Sequence, residues 1–464
     1  MRVLLKNFRI LDEDIDSLGS LSIEGGLIKE IILGSAPDNP AALTIDGLAL
    51  SPDGDPPLLM HAFVDLHAHV RDSLIYQDDE GSAWFPAETL ESTSLAAAAG
   101  GFGTLVSMAN SRPVIDTITK AAALKNRCDS LGLIDLYPVL SLTKNLEGRE
   151  LSEITALSRA GGYVPLLLSE DGRDLADDDL FLAAMKIARE LGIPISCHCD
   201  YGGAEAEAAK KAGQGRGVWS RIEENRATER AIALGKRANC PIHIAHVSTK
   251  EAMEMIIHTK DEVNAGFTPL GFRLSCEVMP HNLSLTEADA EMMGAESYGR
   301  VNPPLRQDED RRALMAALAA GQVDAIATDH APHKEADKAA GMAGFTALET
   351  AFAAAYTELV RGHGDGLVKG PGLLGMQQLS SLMSARPARI LGFGEAARDS
   401  AQRRGRIAPG YRADLVAVDI KTPWLVDQGA FMTRGKNSPF QGRQLYGRVL
   451  MTLHRGQVVY TRSL

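Results

Sequence analysis

The sequence predicts an α/β protein: a (β/α)8 TIM barrel carrying a small discontinuous β-sandwich made from the two ends of the chain. Two observations lead there. Between about residues 62 and 331, short apolar, β-branched runs alternate with longer Ala/Leu/Glu-rich stretches of helical spacing, and the repeat counts to eight. Outside it, both ends hold short alternating runs broken by Gly, Pro and Asp, the pattern of small antiparallel strands. Eight parallel strands with intervening helices close into a barrel, and an open doubly wound sheet is the alternative on strand count alone.

The strand candidates are residues 62–70, 103–110, 134–143, 163–171, 194–200, 241–248, 273–281 and 323–330. Helical spacing follows most of them, as in DDDLFLAAMKIARELG (177–192), where Gly192 suits a C-cap. The expected division is residues 1–58 as the first part of the sandwich, 59–404 as the barrel and 405–464 as the second part. Pro52, Gly54, Pro56 and Pro57 mark the entry to the barrel, and the polar run from Gly394 to Gly405 marks the exit.

Composition narrows the function. The 464 residues are 45% hydrophobic, enough for a large core, and 60 acidic against 48 basic residues give a net charge of −12. That balance argues against nucleic acid and anionic membrane surfaces, and favours a small-molecule substrate. Five cysteines without a CxxC pair suggest neither a disulfide framework nor a zinc ribbon and fit a reducing compartment. With no signal-like start and no 18-residue apolar run, the expected location is cytoplasmic.

The chemistry gathers at strand ends. His67 and His69 lie two apart on the first barrel strand, so both imidazoles face one side and can share a metal. Asp171, His198, His246 and Asp329 recur at the ends of the fourth, fifth, sixth and eighth strands, which a barrel brings to one mouth. Four histidines and two carboxylates exceed the three protein ligands of a mononuclear zinc site, so one or two ions per subunit are expected. Imidazole and carboxylate without thiolate favour Zn²⁺, with Mn²⁺ or Co²⁺ as replacements. Cys197 and Cys199 flank His198, but alternation turns both toward the barrel wall. Arg71 falls on the metal face and can meet a carboxylate; its other reading is a surface ion pair with Asp72.

This constellation resembles the amidohydrolase superfamily, and several phrases resemble dihydroorotases of the long bacterial type: FVDLHAHVRD (63–72), HIAHVST (243–249), VNPPLR (301–306), IATDHAPH (326–333) and KNSPFQGRQLYGRV (436–449). The tail phrase has no evident chemical role. The resemblance implies that His67 and His69 ligate the more buried metal, His198 and His246 the second, and that Asp171 bridges them. It makes Asp329 ligand and proton shuttle, and Arg71, Asn110, Asn302 and His333 substrate-binding residues. Many relatives bridge the metals with a carbamylated lysine; YVPLLLSEDG has none, so Asp171 is the expected bridge and Glu170 its competitor.

The implied reaction is reversible hydrolysis of L-dihydroorotate to N-carbamoyl-L-aspartate in de novo pyrimidine synthesis, through metal-activated hydroxide. The alternatives are another cyclic amidase (allantoinase, dihydropyrimidinase or hydantoinase) and a non-catalytic scaffold for aspartate transcarbamoylase. The resemblance also implies a homodimer and leaves a transcarbamoylase association open. His281 is open between function and structure. Departures from the pattern, namely His61-Ala62, the long stretch 73–87, MANS and GMAGFTAL, bear on substrate loops and specificity.

Overall fold

The computed structural model describes residues 2–34, 43–72, 87–157, 162–362, 372–395, 397 and 400–462; the long stretch at 73–87 falls almost wholly outside them. Eight parallel strands make the centre: β6 (Phe63–Ala68), β7 (Phe102–Ser107), β8 (Asp135–Pro138), β9 (Leu168–Ser169), β10 (Ile195–Cys197), β11 (Ile242–Ile244), β12 (Leu274–Val278) and β13 (Ala325–Ile326). β6 to β8 form one ladder and β9 to β13 another. Single bridges join them on both sides, Leu140 to Leu168 and Ala68 to His330, so the ring of strands closes on itself.

The strands are shorter than their apolar runs. The run 163–171 contributes only Leu168 and Ser169 to its ladder, because beyond them the chain turns into the mouth. The helix expected at 177–192 spans Asp178–Leu191, with the Asp177 side chain capping Leu180 N–H and Gly192 left-handed at φ 69°. Its buried face, including Phe181, Leu182 and Met185, packs into the core shared by the barrel wall.

The two ends of the chain make a single eight-stranded sheet. β1 (Arg2–Leu11) pairs with β2 (Asp16–Glu24), which pairs with β3 (Leu27–Leu33). A bulge between Leu5 and Phe8 divides β1, whose first half also pairs with β4 (Leu43–Asp46) and whose second half pairs with β5 (Leu58–His61). β5 then pairs with β14 (Leu415–Asp419), followed by β17 (Arg448–His454) and β18 (Gln457–Thr461), so strands from opposite ends of the sequence are neighbours. This sheet encloses its own core around Leu5, Phe8, Ile10, Leu21, Leu59 and Leu415. The short hairpin β15 (Trp424–Leu425) and β16 (Gln444–Leu445) sits apart from it and packs with Val301, Leu305 and Phe345 near the barrel mouth.

An ionic knot joins sheet and barrel. Asp135, at the start of β8, accepts from Arg404 Nη1 at 2.8 Å, Arg412 Nη1 at 2.5 Å and Arg455 Nη2 at 2.7 Å. Arg404 and Arg412 are buried, and Arg412 also meets Asp414 at 2.9 Å. Burial opposes ionisation of Asp135, but Arg404 and Arg412 prevail and hold its pKa down at about 2.

Removing that shared acceptor leaves two buried guanidiniums short of a partner. Asp135→Ala is expected to destabilise the fold by about 3–5 kcal/mol, read from urea unfolding at neutral pH. Because the folded pKa lies below the unfolded value of about 4, Asp135 contributes fully above that value and loses its contribution as pH falls toward about 2. The gap between parent and variant should therefore narrow across that interval; a gap that stays constant would show that the charge is not what stabilises the joint.

Candidate metal centre and substrate cavity

The strand ends deliver six side chains to one point. Asp171 is at its centre: its carboxylate lies 3.4 Å from His67 Nε2, 3.5 Å from His69 Nε2, 2.9 Å from His198 Nδ1 and 3.8 Å from His246 Nε2. Asp329 approaches from the other side, 3.0 Å from His69 Nε2 and 3.6 Å from His67 Nε2. His198 Nδ1 and His246 Nε2 face each other at 2.7 Å. All six are buried.

Neighbouring groups orient the rings. His67 Nδ1 lies 2.8 Å from Glu277 Oε1 and His69 Nδ1 lies 2.8 Å from Asn110 Oδ1; each is best read as an N–H donating outward. That tautomer leaves both Nε2 lone pairs aimed at the carboxylates. Glu277 also meets His243 Nε2 at 3.1 Å, and although burial opposes its charge, His243 and His67 hold its pKa down at about 2. Asp65 accepts from His67 N–H at 3.2 Å, Thr328 N–H at 3.0 Å and Thr328 Oγ1 at 2.6 Å, tying β6 to the segment that carries Asp329.

These residues suit a divalent cation. His67 Nε2 and both Asp171 oxygens are buried without a hydrogen-bond partner among the described residues. Ligand atoms of His67, His69 and Asp329, and again of His67, Asp171 and His246, lie within 4.8 Å of one another. Imidazole and carboxylate are the donors such an ion takes. Burial opposes the charge of Asp171, but protonated His67 and His198 hold its pKa well below the ordinary value, and a cation bound at the cluster would displace those protons.

A cavity of about 440 Å³ opens over this cluster. Arg71, Asn110, Asn302 and His333 all line it. Arg71 adopts a left-handed backbone, φ 56°, and its Nε is buried without a hydrogen-bond partner among the described residues, while Asp72 accepts instead from Arg127 and Leu90 N–H. His333 Nε2 bonds Ala343 O at 2.8 Å; burial, then Arg71, pushes its pKa down to about 4, so the ring is neutral at pH 7.

The structure also separates the near misses. Glu170 turns away from the cluster and accepts from the Thr143 backbone N–H at 2.9 Å, so of the two neighbouring acids only Asp171 meets the imidazoles. Cys197 and Cys199 are buried and their thiols point at the Ile195 and Cys197 carbonyls. His281 packs on Phe345 with both ring nitrogens buried and without a hydrogen-bond partner among the described residues, and burial pushes its pKa down to about 4. Asn437, in the tail phrase, has a task after all: its Nδ2 donates to Gly344 O at 3.0 Å and Ala331 O at 3.3 Å, pinning the loop beside His333. Asp65 and Asn437 lie inside the phrases FVDLHAHVRD and KNSPFQGRQLYGRV that carry the resemblance, but neither phrase shows their partners, and Glu277 is signalled only as an acid among buried strand positions.

Comparison with known proteins now places the chain. The model of the amidohydrolase family matches residues 58–459. The chain belongs to the amidohydrolase family. It is a hydrolase of that family, and its curated relatives there include the dihydroorotase of Clostridium botulinum (strain Eklund 17B / Type B), 35% identical over all of both chains. The dihydroorotase of Bacillus licheniformis is 32% identical over 99% of this chain and 98% of its own. Among solved amidohydrolase structures, the L-hydantoinase (dihydropyrimidinase) from Arthrobacter aurescens covers this whole chain with TM-score 0.79 at 24% identity, 96% of that chain being matched. The dihydropyrimidinase from Brevibacillus agri NCHU1002 aligns with TM-score 0.76 at 21% identity over 99% of this chain and 95% of its own. At such identities these show a shared fold, a TIM barrel with a β-sandwich. Among the described residues, no helix is long and apolar enough to cross a membrane.

If Glu277 sets the His67 ring, removing it should loosen the metal without touching a ligand. Glu277→Ala is expected to weaken metal affinity by about 10–100-fold in competition with a chelator. Unchanged affinity in a folded variant would show that the pair does not orient His67.

Proposed function

We propose that the chain is a dihydroorotase, a zinc-dependent cyclic amide hydrolase that interconverts L-dihydroorotate and N-carbamoyl-L-aspartate in de novo pyrimidine synthesis. The observation that carries this reading is that Arg71, Asn110, Asn302 and His333 line the same cavity as five of the six candidate ligands, with His67 beneath it, in a chain 35% identical end to end with a dihydroorotase. A carboxylate-bearing ring needs a cationic, donor-rich clamp beside the metal. Cytoplasmic location and homodimerisation belong to the same proposal, on the resemblance alone.

In this reading His67, His69 and Asp329 would hold one zinc ion and His198 and His246 a second, and Asp171, near both sets of histidines, would serve as a ligand as well. When bound, zinc polarises the ring amide carbonyl and makes water acidic enough to lose a proton near pH 7. The residues do the rest. Arg71 meets the substrate carboxylate with its guanidinium, and Asn110 and neutral His333 complete that contact through hydrogen bonds. Asn302 hydrogen-bonds the pyrimidine ring. Asp329 takes the proton of the attacking water and delivers it to the ring nitrogen as the C–N bond breaks; in reverse it removes that proton as the ring closes. Burial would keep Asp329 protonated, but His69 and His67 hold its pKa far below the ordinary value, so it starts as a base.

The hydantoinase alternative draws support from fold likeness alone. β9 supplies no lysine, and the carboxylate of Asp171 stands where a bridge is needed. A scaffold without catalysis would have no use for six converging ligands.

The purified protein is expected to contain zinc by elemental analysis and to open L-dihydroorotate in an ultraviolet absorbance assay. Asp329→Ala should lower kcat by about 10²–10⁴-fold. Zinc without turnover of dihydroorotate, but with turnover of a hydantoin, would overturn the assignment. Separately, Arg71→Met should raise KM for dihydroorotate at least about tenfold at unchanged metal content, since a charged hydrogen bond to the substrate is lost. An unaltered KM would remove Arg71 from the clamp.

A further inference from the structure

Three consecutive backbone carbonyls beside His333 are each held by a different side chain. They belong to Met342, Ala343 and Gly344, which line the cavity together with His333 and Asn302. Lys338 Nζ donates to Met342 O at 3.1 Å, His333 Nε2 to Ala343 O at 2.8 Å and Asn437 Nδ2 to Gly344 O at 3.0 Å. The Gly344 N–H reaches back to Arg300 O at 3.0 Å, and the Lys338 ammonium donates to that same carbonyl. Lys338 therefore joins two stretches that face the cavity: Arg300, two residues before Asn302, and the strap at 342–344 that holds the His333 ring.

Lys338 sits in the short helix Glu335–Ala339 and is fully buried, while its neighbours at 334–337 and 339–340 are exposed. It lies 5.1 Å over the Phe345 ring and meets no carboxylate among the described residues. An ammonium taken out of water without counter-charge is costly, and hydrogen bonds are what keep it there. Burial, then Arg216 and Arg300, pushes its pKa down to about 7, yet an amine that has lost its proton still has an N–H for each of the two carbonyls. The tie holds on both sides of neutrality. The strap also lies directly on His333: Gly344 has φ 141°, and a Cβ there would stand 2.6 Å from Ala331 Cβ and 3.0 Å from His333 Nε2. A shift of the strap moves the ring.

We infer that Lys338 is a positioning residue for substrate binding, which fixes the strap at 342–344 against the Arg300–Asn302 segment and so sets where His333 and Asn302 stand in the cavity. The inference rests on the reading above, in which those two residues hold the substrate. Lys338 does not itself line the cavity and acts only through the carbonyls it holds. The contacts it places are made in the bound substrate as well as in the transition state, so its loss falls on KM and spares kcat.

The test compares the parent with Lys338→Met, Lys338→Gln and, as a control for lost charge, the exposed Lys334→Met. Methionine fills a similar volume with no charge to bury, so the Tm of Lys338→Met should not fall. This variant is expected to raise KM for dihydroorotate about tenfold, with kcat and metal content within about twofold of the parent. Lys338→Gln restores a donor for the carbonyls and should bring KM back to within about threefold. Without substrate, amide exchange at 341–346, followed by mass spectrometry, should quicken about tenfold in Lys338→Met and not in Lys334→Met. An unchanged KM in Lys338→Met, or one raised equally in Lys334→Met, overturns the positioning role. So does a kcat that falls together with Tm, which would make Lys338 a residue of the fold. Lys338→Gln no better than Lys338→Met would overturn the carbonyl bonds as the cause. If exchange quickens as expected but the parent does not turn over dihydroorotate, the tie stands and the dihydroorotase reading falls.

Discussion

The buried carboxylate of Asp171 is the constraint around which the mouth of this barrel is arranged. Four imidazole nitrogens stand between 2.9 and 3.8 Å from it, drawn from three different strand ends. No hydrogen bond satisfies either oxygen among the described residues. An ionised group in that position is expensive unless matched by positive charge, so the arrangement makes sense as half of an ion site. The ordering of everything nearby follows: Glu277 and Asn110 take the outward nitrogens of His67 and His69, leaving the inward ones free.

Holding that geometry strains the backbone in the same place. Arg71, His246 and Asp329 adopt left-handed conformations with φ of 56°, 35° and 46°, which non-glycine residues avoid. Such conformations cost about 1–3 kcal/mol each and persist only where surrounding structure over-determines them. Here it does. Asp329 N–H bonds His67 O at 3.0 Å and His69 N–H bonds His330 O at 2.8 Å, so the bridge that closes the barrel also fixes two ligand segments. Asp65 adds its bonds to Thr328 beneath them. The ionic knot around Asp135 lies at the other end of the ring, where it joins the barrel to the terminal sheet and leaves the mouth free for chemistry.

Much of this was legible in the sequence because the signals are periodic. Eight apolar runs announce eight strands, and residues two apart, as His67 and His69 are, share a face whatever the remaining fold does. Glu170 and Asp171 separate for a related reason: adjacent residues leaving a strand point in opposite directions, one to Thr143 and one to the histidines. What stayed hidden depends on partners far away in sequence. Glu277 matters because it meets His67, and Asn437 because it meets Gly344. Neither pairing leaves a local trace. Strand lengths were hidden too, since of the run at 163–171 only Leu168 and Ser169 join the ladder, and Glu170 and Asp171 leave it toward Thr143 and the histidines.

Charge distribution adds a further constraint. The chain carries a net charge of −12, so at long range it repels an anionic substrate. Screening limits that repulsion to a Debye length of about 8 Å at physiological ionic strength, and within that distance local charge decides. Arg71, Arg216 and Arg300 all line the cavity, with Lys338 behind them. The acids there are committed: Asp171 and Asp329 to the imidazoles, Asp200 to His198 at 3.1 Å and Glu223 to Lys210. An acidic surface therefore surrounds a cavity whose uncommitted charge is positive. A neutral hydantoin or dihydropyrimidine ring would gain nothing from that arrangement, whereas a carboxylate-bearing ring would enter against the surface potential and be held by the wall.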